Sequence, residues 1–149
     1  MERSSGSIWR KLGNGKQMKT VKDVKVINFS GFDENGLLVP MQNLPFDVKR
    51  AFTVSGVDSK APRGKHAHRE TQQVLVCLNG SIVCLCKDQS GAEVSITLED
   101  PRVGLLVPEM IWDEQIYNSG DSILLSLCST EYNRDDYIEN WEDFVNENC

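Results

Sequence analysis

Between Val24 and Cys128 the chain is a succession of short apolar or alternating runs, each closed within a few residues by a glycine, proline or Asn/Asp turn. Side chains on a strand alternate between two faces, so such runs are half-buried or buried strands. Many short strands separated by turn signals, with little helix between them, fold into a sandwich or a barrel. The runs are Val24–Phe29, Gly36–Pro40, Val48–Val57, Gln73–Leu78, Ser81–Cys86, Glu93–Leu98, Val103–Val107, Trp112–Tyr117 and Ser122–Cys128. Asn79-Gly80 is a strong hairpin signal, so Ser81–Cys86 is expected to pair back on Gln73–Leu78. A second hairpin turn is expected at Asp88-Gln89-Ser90-Gly91.

The two ends depart from this pattern. Up to about Val21 the chain is rich in Ser, Gly, Lys and Arg with isolated apolar residues, which reads as a flexible leader over residues 1–22. Residues 23–149 form one domain on this reading, a size that supports a modest core. From Asp135 to Asn148, Tyr137, Ile138, Trp141, Phe144 and Val145 fall at helical spacing, so a short C-terminal helix is expected, with Asn133 or Asp135 as its cap.

Composition excludes several classes. The net charge of −6 argues against a broad nucleic-acid or anionic-membrane surface. No apolar run approaches the roughly 20 residues that cross a bilayer, and the N-terminus lacks a secretory layout, so a cytoplasmic protein is expected. The five cysteines include Cys77, Cys84 and Cys128 in apolar runs. Cys84-Leu85-Cys86 has the wrong spacing for a zinc knuckle, and reduced thiols are expected.

The chain has two histidines, and both lie in Arg63-Gly64-Lys65-His66-Ala67-His68. At positions i and i+2 of a strand their imidazoles face one side. Titrating near neutrality, a facing pair suits proton transfer. His66-x-His68, four residues, Gln73, six residues and Gly80 follow the spacing of the first cupin motif, and Gly104, Pro108 and Asn118 suit the second. Glutamine stands where metal-binding cupins carry glutamate, and Asp113 where they carry the last histidine. His66, His68 and Asp113 remain as a formal two-His-one-carboxylate set, a weak one for a metal.

The resemblance then becomes specific. Pro45-Phe46-Asp47-Val48-Lys49-Arg50, Pro62 through His68, and Gln73-Val74-Leu75-Val76-Cys77-Leu78-Asn79-Gly80 resemble the dTDP-sugar 3,4-ketoisomerases, the WxcM-like cupins. Pro101-x-Val103-Gly104-Leu105, Trp112-x-Glu114 and Asp136-Tyr137-Ile138 extend the likeness, which runs from Val24 to Phe144. It implies an all-β cupin, that is, a double-stranded β-helix or jelly-roll barrel. It also implies an isomerase without metal or other cofactor, acting on dTDP-4-keto-6-deoxyglucose through an enediolate. The 3-keto product would go to deoxy-amino sugars of a lipopolysaccharide, S-layer glycan or antibiotic, and the protein would be a homodimer with exchanged N-terminal strands.

On that resemblance His66 and His68 are the acid–base pair. Arg63 and Arg50 are diphosphate ligands, with a surface or interface ion pair as the equal alternative for Arg50. Gln73 is an oxygen donor, Trp112 a candidate stacking plate whose plainer reading is a core aromatic, and Asp113 and Tyr132 lie near the substrate. Tyr132 and Tyr137 could each supply a hydroxyl near the mouth, with helical spacing favouring packing for Tyr137, and Lys65 reads as solvated. The chain departs from the family pattern at Phe52, where a tyrosine is common, and at Asp113, where a histidine is expected. Those departures keep two rivals open: a cupin that only binds a nucleotide sugar, and a metal-dependent cupin enzyme using His66, His68 and Asp113.

Overall fold

The structure is a computed structural model that describes residues 18–148. The expected leader lies mostly outside these residues. Its last part runs into a 3-10 turn, Val21–Asp23, which Thr20 and Asp23 close with a reciprocal capping box.

Twelve strands follow: β1 Lys25–Asn28, β2 Phe32–Asp33, β3 Leu37–Leu38, β4 Arg50–Val54, β5 Arg63–His68, β6 Gln73–Asn79, β7 Ile82–Lys87, β8 Glu93–Leu98, β9 Val103–Val107, β10 Trp112–Tyr117, β11 Ile123–Cys128 and β12 Tyr137–Ile138. One α-helix, α1 Trp141–Asn146, comes last. Two five-stranded antiparallel sheets, ordered β1-β9-β6-β11-β4 and β12-β5-β10-β7-β8, face each other, and β2 and β3 form a separate hairpin. This is the expected all-β cupin barrel with a short terminal helix. Among the described residues no helix is long and apolar enough to cross a membrane.

The space between the sheets is filled by Leu75, Cys77, Ile82, Cys84, Cys86, Leu98, Leu105, Ile111, Tyr117 and Leu124. Strand β6 is buried on both faces. Leu75 and Cys77 point into the barrel, and Val74 and Val76 point outward beneath Val39, Met41, Leu44 and Phe46 of the β3–β4 connection. Its unbroken apolar run follows from that double burial. A third cluster, Ala67, Met110, Trp112, Ile138 and Phe144, seats the C-terminal helix on β5 and β10.

Two local expectations are corrected. Asn79-Gly80 does turn the chain, with Gly80 at φ 81°, yet β6 pairs with β9 and β11 while β7 pairs with β8 and β10. The turn passes the chain from one sheet to the other, because both neighbours of β6 are supplied by strands remote in sequence. The turn at Asp88–Gly91, in contrast, joins a true antiparallel pair. The C-terminal helix is shorter than expected: Tyr137 and Ile138 are extended and pair with His68 and Ala67 of β5. Asn140 caps the helix through Asp143 N, whereas Asn133 caps the 3-10 turn Arg134–Asp136.

Phe144 is fully buried against Trp112 and Trp141, with ring centroids 5.7 and 5.4 Å away. Phe144→Ala is expected to lower unfolding free energy by about 3–5 kcal/mol, measured as a drop in urea midpoint without loss of β signal.

Candidate active site

Strand β5 does not enter the site as a regular strand. Gly64 and Lys65 both have positive φ, 85° and 48°, and the β10 register slips between Asp113 and Glu114. The result is a bulge that turns the backbone just ahead of His66. A side chain at position 64 would meet the Asp113 carbonyl oxygen and the Gln115 amide, both 3.0 Å from an added Cβ. Glycine is therefore required there twice over, for its dihedral angle and for its size.

The bulge sets the state of His66. Its Nδ1 lies 2.7 Å from the Gly64 carbonyl oxygen. A carbonyl only accepts, so Nδ1 carries the proton and Nε2 is left as a free base. Burial pushes the His66 pKa down, against the pull of that carbonyl. His68 is held in the same tautomer by a carboxylate, with Nδ1 2.7 Å from Asp136 Oδ2. Burial drives His68 down to about 4, with Asp136 resisting. Its Nε2 is buried without a partner among the described residues. Two neutral imidazoles, with centroids 4.9 Å apart at nearly a right angle, thus sit side by side.

Asp136 is itself well held. The Thr71 hydroxyl donates to Oδ2 at 2.5 Å and the Glu70 amide to Oδ1 at 2.7 Å. Burial works to raise its pKa, and these donors with His68 outweigh it, so the carboxyl stays below its ordinary value. Arg69 ties the segment down, donating to the Asp135 and Tyr137 carbonyls and the Glu147 carboxylate.

A cavity of about 250 Å³ opens between the sheets, lined among others by Phe52, Arg63, His66, Gln73, Gln115 and Tyr137. It adjoins a wider groove of about 630 Å³ running from Thr53 to Arg63, and Val54 and Arg63 line both. Arg63 thus stands at the junction. Gln73 is buried, with its amide donating to Ser126 Oγ at 3.2 Å. Arg50, Cys128 and Gln73 are successive cross-strand partners, forming one row on β4, β11 and β6. The Arg50 guanidinium is 5.8 and 5.7 Å from the ring centroids of Phe52 and Tyr132. Arg50 is near enough to His68 to act on it by charge, and it starts β4 at the end away from Thr53 and Val54, which line the groove. Tyr132 is 65% exposed, at the rim beside Tyr137.

Two other expected residues sit elsewhere. Trp112 is 4% exposed, wedged among Trp141 and Phe144 with its indole N–H on Glu114. It presents no face on which a base stacks. Asp113 is cross-strand to His66 and buried, with Oδ2 accepting from Gln115 and Oδ1 without a partner among the described residues. Burial raises its pKa to about 7, with Gln115 opposing. Among the described residues no three His, Cys, Asp or Glu side chains converge on a metal position.

Sequence reasoning singled out neither Asp136 nor Gln115 for a role. The first ends a three-residue 3-10 turn just ahead of β12, a segment too short to carry a period that would reveal it. The second, at i+2 from Asp113 on β10, was open to inference from the same alternation that aligned the histidines.

Two antiparallel sheets closed over a histidine-lined cavity give the protein a cupin-type barrel. The family model described as FdtA, WxcM-like, C-terminal, matches residues 22–148, and the chain belongs to that family. It is 40% identical over 124 residues, 80% of this chain and 88% of the other, to the TDP-4-oxo-6-deoxy-alpha-D-glucose-3,4-oxoisomerase of Aneurinibacillus thermoaerophilus. The crystal structure of QdtA, a sugar 3,4-ketoisomerase from Thermoanaerobacterium thermosaccharolyticum in complex with TDP, matches with a TM-score of 0.80 at 35% identity, over 83% of this chain and 93% of that one. The WlaRB TDP-quinovose 3,4-ketoisomerase of Campylobacter jejuni matches with a TM-score of 0.79 at 32% identity, over 85% and 99%.

The Asp113 carboxyl gives a stability test. Its folded pKa of about 7 lies above the unfolded value of 3.8. The folded state therefore loses stability as pH rises from about 4 to 7 on account of this group. Asp113→Asn removes that loss, so its stability relative to the parent is expected to grow by on the order of 3 kcal/mol across the window. Urea midpoints of both proteins at pH 5 and pH 8 measure it.

Proposed function

We propose that the chain is a sugar-nucleotide 3,4-ketoisomerase that moves the ketone of a TDP-linked 4-keto-6-deoxyglucose from C4 to C3. The observation that carries this reading is the pair of neutral imidazoles, each with Nδ1–H anchored and Nε2 free. A proton on C3, alpha to the C4 ketone, is acidic enough for such a base. Removing it gives an enediolate, and returning a proton to C4 leaves the ketone on C3.

His66 lines the cavity and is the group placed to exchange protons with the sugar, with His68 behind it. Gln73 and Gln115 offer amides to sugar oxygens. Arg63, at the junction of cavity and groove, suits the diphosphate because a guanidinium matches its oxygens in pairs. The groove from Thr53 to Arg63 then takes the nucleoside. The identity to named 3,4-keto- and oxoisomerases supports the same substrate class. A histidine-to-asparagine variant of QdtA is recorded in complex with TDP-4-keto-6-deoxyglucose. Both rivals are disfavoured: the histidines keep a proton-transfer geometry, and His66, His68 and Asp113 do not converge on a metal position.

The finer reading is a cytoplasmic homodimer serving deoxy-amino sugar synthesis for a surface glycan. Four cysteines, Cys77, Cys84, Cys86 and Cys128, are free and buried, in keeping with a reducing compartment. Strand β1 is the edge of its sheet. Val26 on it is 49% exposed, and Phe32 and Leu38 on the β2–β3 hairpin are 60% and 61% exposed. Such apolar surface fits a second copy. Exchange of β1 between copies preserves its register on β9.

Proton NMR of TDP-4-keto-6-deoxyglucose with the protein in deuterium oxide is expected to show a 3-keto sugar deuterated at C4. His66→Asn is expected to lower kcat by about 10²–10⁴-fold, and His68→Asn to lower it as well. Binding of substrate without turnover by the parent protein overturns the reading. Light scattering after gel filtration is expected to give a dimer, and Phe32→Asp with Leu38→Asp a monomer; a monomeric parent rejects the assembly.

A further inference from the structure

Isomerisation across C3 and C4 develops negative charge on the C4 oxygen, and a base alone does nothing for that charge. A hydrogen-bond donor is needed beside the imidazoles, and Tyr137 occupies that position. As the cross-strand partner of His68 it shares the inward face with both histidines. Its ring lies 5.0 Å from His66 and 4.5 Å from His68, centroid to centroid, and it lines the cavity. The Arg50 guanidinium is 5.7 Å from the ring of Tyr132, which neighbours Tyr137 at 5.9 Å, and it is near enough to act on the Tyr137 hydroxyl by charge. Nε and Nη2 of Arg50 are buried with no hydrogen-bond partner among the described residues. Phe52, which lines the cavity from the opposite sheet, has no hydroxyl to offer.

The geometry points to Tyr137 as a catalytic residue that donates its hydroxyl hydrogen bond to the C4 oxygen of the sugar, with Arg50 behind it. The inference deepens the isomerase reading and rests on it. When His66 Nε2 takes the C3 proton, the C3–H electron pair becomes the C3=C4 bond. The C4=O pair moves onto oxygen, where Tyr137 donates. The C3 hydroxyl then loses its proton and becomes the ketone, and the returning electron pair takes the imidazolium proton at C4. The proton released from the C3 oxygen ends on the C4 oxygen, so no co-reactant is consumed. Arg50, a fixed cation beside the phenol, strengthens the donation without touching the sugar.

Burial raises the Tyr137 pKa, with Arg50 pulling the other way. The phenol therefore stays protonated through the neutral range, as a donor must. A residue that only packed against the histidines would not need the hydroxyl at all.

Tyr137→Phe keeps the ring and removes the donor. The expected result is a kcat about 10²–10³-fold lower, with KM and TDP affinity within about threefold of the parent and an unchanged melting temperature. A kcat equal to the parent overturns the assignment. So does a loss confined to KM and TDP affinity, which would make Tyr137 a binding group. If the phenylalanine variant fails to fold, difluorotyrosine at position 137 keeps ring and hydroxyl and lowers the phenol pKa. The alkaline limb of kcat is then expected to move to lower pH, and an unmoved limb overturns the assignment. A parent protein that turns over no keto sugar fails the isomerase reading instead, and the two failures are distinguishable in one assay.

Discussion

The pairing of Tyr137 and Ile138 with β5 is the contact on which the site depends. It is two residues long, and it carries Asp136 to His68 Nδ1, Tyr137 to the inner wall and Ile138 into the cluster beneath α1. A two-stranded contact of that length has little stability alone. Here it is braced from outside. Arg69 donates to the carbonyls on either side of Asp136 and to Glu147, and Phe144 plugs the cluster behind it. The helix, the arginine and the aromatic plug therefore serve the placement of one carboxylate and one phenol.

The electrostatics follow from burial more than from charge pairing. Both imidazoles are kept neutral because the barrel wall makes a buried cation costly, and both are fixed in one tautomer by acceptors on Nδ1. Asp113 shows the same force with opposite sign, since burial favours its protonated form. The cationic groups stand at separate points around this neutral centre. Arg63 is at the groove junction and Arg50 is beside the phenol.

Much of this was legible in the sequence. The alternating runs and turn dipeptides located nine of the twelve strands, missing the two-residue β2 and β12 and the bulged β5, while the shared face of His66 and His68 is an arithmetic consequence of a two-residue period. The bulge did not obscure the pair because it falls ahead of His66. What escaped was set by long-range pairing. Asn79-Gly80 has the chemistry of a hairpin turn, and nothing local distinguishes a turn within one sheet from a turn between two. Tyr137 and Ile138 fit the spacing of the helix that follows, and only pairing with His68 and Ala67 makes them a strand. Trp112 reads from sequence as either a stacking plate or a core aromatic, and Trp141 and Phe144, some 30 residues on, decide for the core.

The register of β12 on β5 also has a bearing on when the protein becomes competent. His68 and Asp136 are 68 residues apart in sequence, and the sheet orders place few sequential strands side by side. Folding rates fall when native contacts join distant parts of a chain, because loop entropy is lost before contact energy is gained. On a ribosome, the histidines emerge and their strand is available long before the residues that hold them. The barrel can collapse first, but its proton-transfer centre is completed by a segment synthesised after the eleven strands that precede it. Chains that stop short of α1 carry both imidazoles with neither the carboxylate nor the aromatic plug secured.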